Sequence, residues 1–250
     1  MAKSFYYPVN ELASATLDDG TFLNVAFTNA SALTNELRAV DQSIGTAVSG
    51  WTQNDGFRID LGAAVACDFL AIYFNAIETT DFILYASDNS DNSSTTTAKT
   101  ITASFVKGWN VFDFSSTNKR YWFLRQTGTG TTDNFMEFII GNKYDFDVNF
   151  DLNNTESDIS GSDVITSYGG NEFSNKRHSQ KATWSWNWSN ISSAMKTSLD
   201  TMKTAVEIDR LKFVYYDETN YHYVRMSGLD FTEVAFQRYS TSMSLTEQLQ

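Results

Sequence analysis

Apolar and polar residues alternate with a period of two along most of this chain, and the period lengthens to that of a helix only once. Residues 1–20 read as an extended lead-in that holds the only proline, Pro8. Residues 22–28 alternate as a strand does, and 31–40 suit a short helix or loop. In W-T-Q-N-D-G-F-R-I-D-L-G at 51–62, Phe57, Ile59 and Leu61 face one way, with Arg58 and Asp60 opposite. That pattern predicts a half-buried strand entered through an Asp55-Gly56 turn. Short strands follow at 68–74, 81–86, 109–114, 121–126 and 134–140. The stretch 87–97, built only from Ser, Thr, Asn and Asp, separates two of them, and the loop T-G-T-G-T-T-D at 127–133 separates two others. Short strands at this spacing, with no strong helix between them, predict an antiparallel β-sandwich of jelly-roll type over 1–141.

The texture changes near Gly141. Phe146, Val148, Phe150 and Leu152 alternate with Asp145, Asp147, Asn149 and Asp151, which predicts a strand over 144–152. Residues 157–172 read as a polar loop or irregular hairpin. Over 182–188, Trp184, Trp186 and Trp188 fall on one face and Thr183, Ser185 and Asn187 on the other. Ile191, Met195, Leu199, Met202 and Val206 then recur at helical spacing, which predicts a helix over about 190–206 capped by Ser189 or Asn190. Strands follow at 210–216, 221–226 and 231–245, the last broken near Gln237. The second domain, 142–250, is therefore a β domain with one packed helix.

Two domains of this size can each bury a core. Of the 250 residues, 42% are apolar and 15% aromatic, which is a globular composition. The net charge of −12 sets the chain against nucleic-acid phosphate. Its densest basic group, Lys176, Arg177, His178 and Lys181, is too small to reverse that and reads as a solvated turn. The one cysteine, Cys67, lies in an apolar run and reads as a buried small side chain, so no disulfide framework is expected. The first residues have no apolar signal-peptide core and no stretch is long enough to span a bilayer. The expectation is folding in the cytosol, with any export by another route such as cell lysis, and no membrane insertion. The sequons at Asn29, Asn92, Asn153, Asn187 and Asn190 then carry no weight.

Chemical motifs are sparse. The two histidines, His178 and His222, stand in no metal-ligand spacing, and neither a nucleophile elbow nor a phosphate-binding loop occurs. No catalytic residue, metal or cofactor is assigned. Asp145, Asp147, Asn149, Asp151 and Glu156 have the spacing of a calcium loop, but Phe150 occupies the position where that loop bends through glycine. A solvated strand face is the better reading, as a plain surface turn is for S-D-N-S-D-N at 87–92. Trp184, Trp186 and Trp188 either stack on sugars, if exposed, or form a core face, and three in alternation favour the core.

Residues 22–140 resemble the discoidin, or coagulation-factor type C, family of galactose-binding-like sandwiches. The resemblance is carried by Trp51, D-G-F-R-I-D-L-G at 55–62, F-I-L-Y-A-S-D at 82–88 and K-R-Y-W-F-L-R at 119–125. It implies ligand binding by loops at one end of the sandwich, and it departs from the family in lacking the paired terminal cysteines. Residues 175–248 resemble bacteriophage tail-tube and distal-tail proteins, through S-Q-K-A-T-W-S-W-N-W-S at 179–189, the helix, R-L-K-F-V-Y-Y-D at 210–217, Y-H-Y-V-R-M at 221–226 and the final F-T-E-V-A-F-Q-R-Y-S-T-S-M-S-L-T-E. That resemblance implies a structural role in closed rings.

The expected function is a structural component of a phage virion, a minor tail or baseplate subunit displaying a carbohydrate-binding-type domain. Its expected partners are other virion tail proteins and further copies of itself in a homo-oligomeric ring, with a host glycan and no nucleic acid. The alternative is a carbohydrate-binding adhesin module recognising a host surface glycan. For either, Trp51, Asn54, Asp55, Asn89, Asp91 and Lys107 are the candidate ligand-binding residues.

Overall fold

The computed structural model describes residues 3–8, 16–18, 47–48, 50–51, 53, 55–91, 94–102, 104–129, 132, 134–152 and 154–248. The predicted strand at 22–28 and the helix or loop at 31–40 lie outside them. The chain packs as two compact units, Tyr6–Tyr144 and Met1–Phe5 with Asp145–Leu249. Sequence patterning draws the border after residue 141.

The first unit contains β1 (Ser4–Pro8) from Tyr6 onward, β2 (Thr16–Asp18), β3 (Gly56–Phe74), β4 (Phe82–Ser87), β5 (Thr96–Ile101), β6 (Gly108–Gln126) and β7 (Phe135–Asp145). The order β5-β4-β6-β3-β7 is antiparallel throughout, and β2 pairs with the start of β3. Four expected strands are here two long ones. β3 absorbs those at 57–61 and 68–74, and β6 those at 109–114 and 121–126. Their shared ladder continues through the polar stretch between, with register shifts at Asp60/Val65 and Cys67/Phe69. Such bulges bend a strand without ending it. Gly62 serves the first, with φ at 76° and its N–H donating to Asp60 Oδ1 at 2.8 Å.

The bend turns one ladder into two layers. The first half of β3 and the second half of β6 join β4 and β5, while the other halves join β7. The core lies between the layers. Phe74 meets Phe82 at 6.2 Å and Phe105 at 4.9 Å, and Trp51 stacks on Phe135 at 5.3 Å. Cys67 is buried as expected, and that burial, with Asp68 nearby, pushes its thiol pKa up and keeps it protonated.

The second unit comprises β8 (Thr155–Ile159), β9 (Ser162–Thr166), β10 (Glu172–Lys176), β11 (Lys181–Ser192), α1 (Ser193–Val206), β12 (Lys212–Tyr216), β13 (Tyr221–Ala235) and β14 (Arg238–Glu247). β12-β13-β14-β11-β8 pair antiparallel, and β9 and β10 form a separate hairpin. The tryptophan stripe is core. Trp184, Trp186 and Trp188 lie opposite Leu245, Met243 and Thr241 of β14 and are buried. Trp186 stacks on Phe150 at 4.8 Å and meets Tyr215 at 4.8 Å and Phe5 at 6.0 Å. The helix buries Met195, Leu199, Met202 and Val206, as its period predicts.

Two expectations need correction here. Ser192 caps the helix, its Oγ accepting from Met195 N–H at 3.1 Å, because β11 runs on through Ile191. The alternating stretch 146–152 is not a strand: Leu152 is 99% exposed, Val148 is exposed, and Phe146 and Phe150 pack against tryptophan rings. In the calcium-like frame, Ser4 Oγ donates to Asp145 at 2.5 Å and Ser189 Oγ to Asp151, which are ordinary structural bonds.

Candidate functional site

The candidate residues do not converge. Trp51 is fully buried between Phe82 and Phe135, so it is a core ring and no platform for a ligand. Beside apolar strand positions Trp51 reads most cheaply as a core ring, and its burial agrees with that reading over its place among the ligand-binding candidates. Asn54 lies outside the described residues. Asp55 is buried, and its carbonyl accepts Gln126 N–H at 2.9 Å. Asn89 and Asp91 stand in the turn that follows β4, where Ser87 Oγ accepts Asn89 N–H at 3.0 Å. Lys107 is exposed just past Phe105, whose ring lies 5.8 Å from Phe82 at the start of β4. The six residues of β4 span about 20 Å and separate Lys107 from Asn89 and Asp91.

The turn after β4 meets the bend of β3 and β6 in a charged cluster that sequence reasoning missed. Arg120 grips Asp60 with two parallel bonds of 2.7 and 2.9 Å. Lys119 pairs with Asp88 at 2.5 Å, and Arg58 Nη1 donates to the Ser90 carbonyl at 2.7 Å. The guanidiniums of Arg120 and Arg58 sit 4.8 and 5.5 Å from the Tyr121 ring centre. The bond from Arg120 holds the Asp60 carboxyl below its ordinary pKa, against the opposing effect of its partial burial. These groups satisfy one another and fasten the turn to the bend. Their signal was the run N-K-R-Y at 118–121, most of which the sequence reading left in the polar stretch between two strands, without its partners.

A groove of about 430 Å³ opens in the second unit. Its floor follows from the alternation of β14: Thr241, Met243 and Leu245 point into the core, leaving Ser240, Ser242 and Ser244 outward. Pairing extends that outward row on both sides. Ser242 lies between Asn187 of β11 and Asp230 of β13, and Ser240 lies opposite Thr232. The bulge after Trp188 brings Ser189 to the rim, and Val234 adds an apolar wall. Small hydroxyl side chains keep the floor low. Beneath them Thr241 Oγ1 donates to the Asp230 carbonyl at 2.6 Å, and the Trp188 indole donates to the Val148 carbonyl at 3.0 Å. Asp230 extends its carboxylate into solvent, with Lys203 Nζ 4.0 Å away.

The groove has the size of a small-ligand site. Hydroxyls and an amide both donate and accept, and the carboxylate accepts. That set matches a ligand covered in hydroxyl groups. Among the described residues Asp230 is the carboxylate that lines it.

No family model matches the chain, and no curated protein matches it. Solved structures similar to it include chitosan-binding module 1 of a chitosanase/glucanase from Paenibacillus sp. IK-5, at 19% identity over 53% of this chain and 99% of that one, with a TM-score of 0.37. The CBM32-1 module of a family 31 glycoside hydrolase from Clostridium perfringens is 14% identical over 55% and 99%, with a TM-score of 0.42. A second Clostridium perfringens CBM32 module, solved with GalNAc-β-1,3-galactose, is 11% identical over 54% and 99%, with a TM-score of 0.40.

Proposed function

We propose that this protein is a carbohydrate-binding module of adhesin type, which holds a surface glycan without cleaving it. The observation that carries the reading is the groove: four outward hydroxyl side chains, an amide and a carboxylate around a shallow floor, with an indole fixed at its base. Sugars present hydroxyls that donate and accept at once, and such groups bind best where each finds a partner. Of the modules named above, one is chitosan-binding and one was solved with GalNAc-β-1,3-galactose. The reading for this chain rests on the groove and not on them.

A glycan array followed by calorimetry on the strongest hit tests it. The wild type is expected to bind. Ser242→Trp, which fills the groove from the solvent side, is expected to weaken binding at least tenfold, and Asp230→Asn to weaken it less. An array without hits sinks the reading. Full binding by Ser242→Trp sinks the placement in the groove and moves the site to the turns of the sandwich.

A structural subunit of a phage tail or baseplate, with other tail proteins as partners, is the second reading. It rests on the sequence resemblance over 175–248 alone. Antibody labelling of virions viewed by electron microscopy tests it, and unlabelled tails and baseplates argue against it.

A further inference from the structure

Residues 160–180 form an arm. β8 and β11 pair from Thr155↔Ser185 to Ile159↔Lys181, and the same two runs of chain pair again beyond a break, as β9 with β10 from Ser162↔Lys176 to Thr166↔Glu172. The break is at Gly161, whose carbonyl accepts the N–H groups of Arg177 at 2.8 Å and His178 at 3.1 Å. A Cβ at Gly161 would stand 1.9 Å from the His178 oxygen, so only glycine allows this close crossing. The tip is closed by Ser167 N–H to Asn171 O and by Gly170 N–H to Ser167 O.

Among the described residues the hairpin beyond the break has no third strand. Ile165 and Phe173 face each other across it on one side, 63% and 62% exposed. Val164 is 61% exposed on the opposite side, and Tyr168 is exposed at the tip. A lone two-stranded hairpin is marginal in water, and one that is apolar on both faces has surface to bury.

We propose that this arm docks on a second copy of the same chain. Charge selects the occupant. Lys176, Arg177 and Lys181 fall within six residues that hold no carboxylate, in a chain of net charge −12. Arg177 pairs with Asp163, while Lys176 and Lys181 have no carboxylate partner among the described residues. A basic, apolar arm on an acidic molecule is complementary to that molecule's own surface. The counterpart is β8, the outermost strand of its sheet, which offers an unpaired edge bearing the exposed Glu156 and Asp158. The inference is independent of the glycan reading: a monomer can bind sugar, and an oligomer need not.

Native mass spectrometry and light scattering of the full chain across a concentration series, at low and high salt, test it. The wild type is expected to self-associate and to dissociate as salt screens the charges. Two variants, Ile165→Asp with Phe173→Asp and Lys176→Glu with Lys181→Glu, are each expected to weaken association at least tenfold. Their circular dichroism and melting temperature are expected to stay those of the wild type, because the arm lies outside the core. A wild type that stays monomeric at every concentration overturns the proposal, as does association unchanged in both variants. Capture of the monomer by anionic lipid vesicles through the same residues also overturns it and assigns the arm to a membrane surface.

Discussion

Gly56 opens β3 where its α-carbon passes the backbone of β6, and a Cβ there would stand 2.5 Å from the Leu124 oxygen. Gly56→Ala is expected to destabilise the first unit by about 1–3 kcal/mol, because a backbone carbonyl cannot move aside as a side chain does. The urea midpoint of the variant checks this. Asp55-Gly56 was legible as the entry to a strand, although the sequence reading gives the glycine to a turn and the structure gives it to a close approach. The tryptophans show the same limit. Trp184, Trp186 and Trp188 could be assigned to the core because Thr183, Ser185 and Asn187 alternate with them. Trp51 has only the apolar strand positions beside it to suggest the core, and Phe82 and Phe135 are what it packs against there.

At the scale of elements, the helix was the clearest signal, since five apolar residues at its spacing admit one periodic reading. Its start was less legible, because Ser189, Asn190 and Ser192 are all capping types and β11 decides among them by running to Ser192. Ser192→Ala is expected to cost about 1 kcal/mol, whereas Asn190→Ala is expected to be near neutral. Chemical denaturation followed by tryptophan fluorescence separates the two. The long strands β3 and β6 were read as four because polar residues at 115–120 look like a turn. In a bend they are simply the solvent side of an unbroken ladder. β5 escaped notice because T-T-A-K-T-I is polar enough for an edge strand and too polar to stand out. The groove was half legible: S-T-S-M-S-L at 240–245 announces a strand with serines outward, but only the pairing of β14 with β11 and β13 sets Asn187 and Asp230 beside them.

For the whole molecule, acid is the informative perturbation. Asp60 is held below its ordinary pKa of 3.8 by the bond from Arg120. Asp217 is also held below 3.8: burial opposes its ionisation, but the bonds from the Asn220 N–H, the His222 ring and the Thr219 N–H outweigh it. A carboxyl whose pKa is depressed by folding contributes stability that is full above the unfolded value and is lost as pH falls through the folded value. Both units are therefore expected to weaken as pH falls below about 4, with falling urea midpoints. In Asp60→Asn the first unit is expected to start less stable and to lose less over that range. An identical slope in variant and wild type counts against the Arg120 bond as a source of stability.

The bend in β3 and β6 has a mechanical corollary. Layers joined only by loops can be prised apart, but here both are woven from the same two runs of backbone, and parting them means unzipping a ladder that spans both strands. No molecule enters this unit between Phe74 and Phe82 by spreading its layers. Whatever the sandwich touches is met outside the core between its layers.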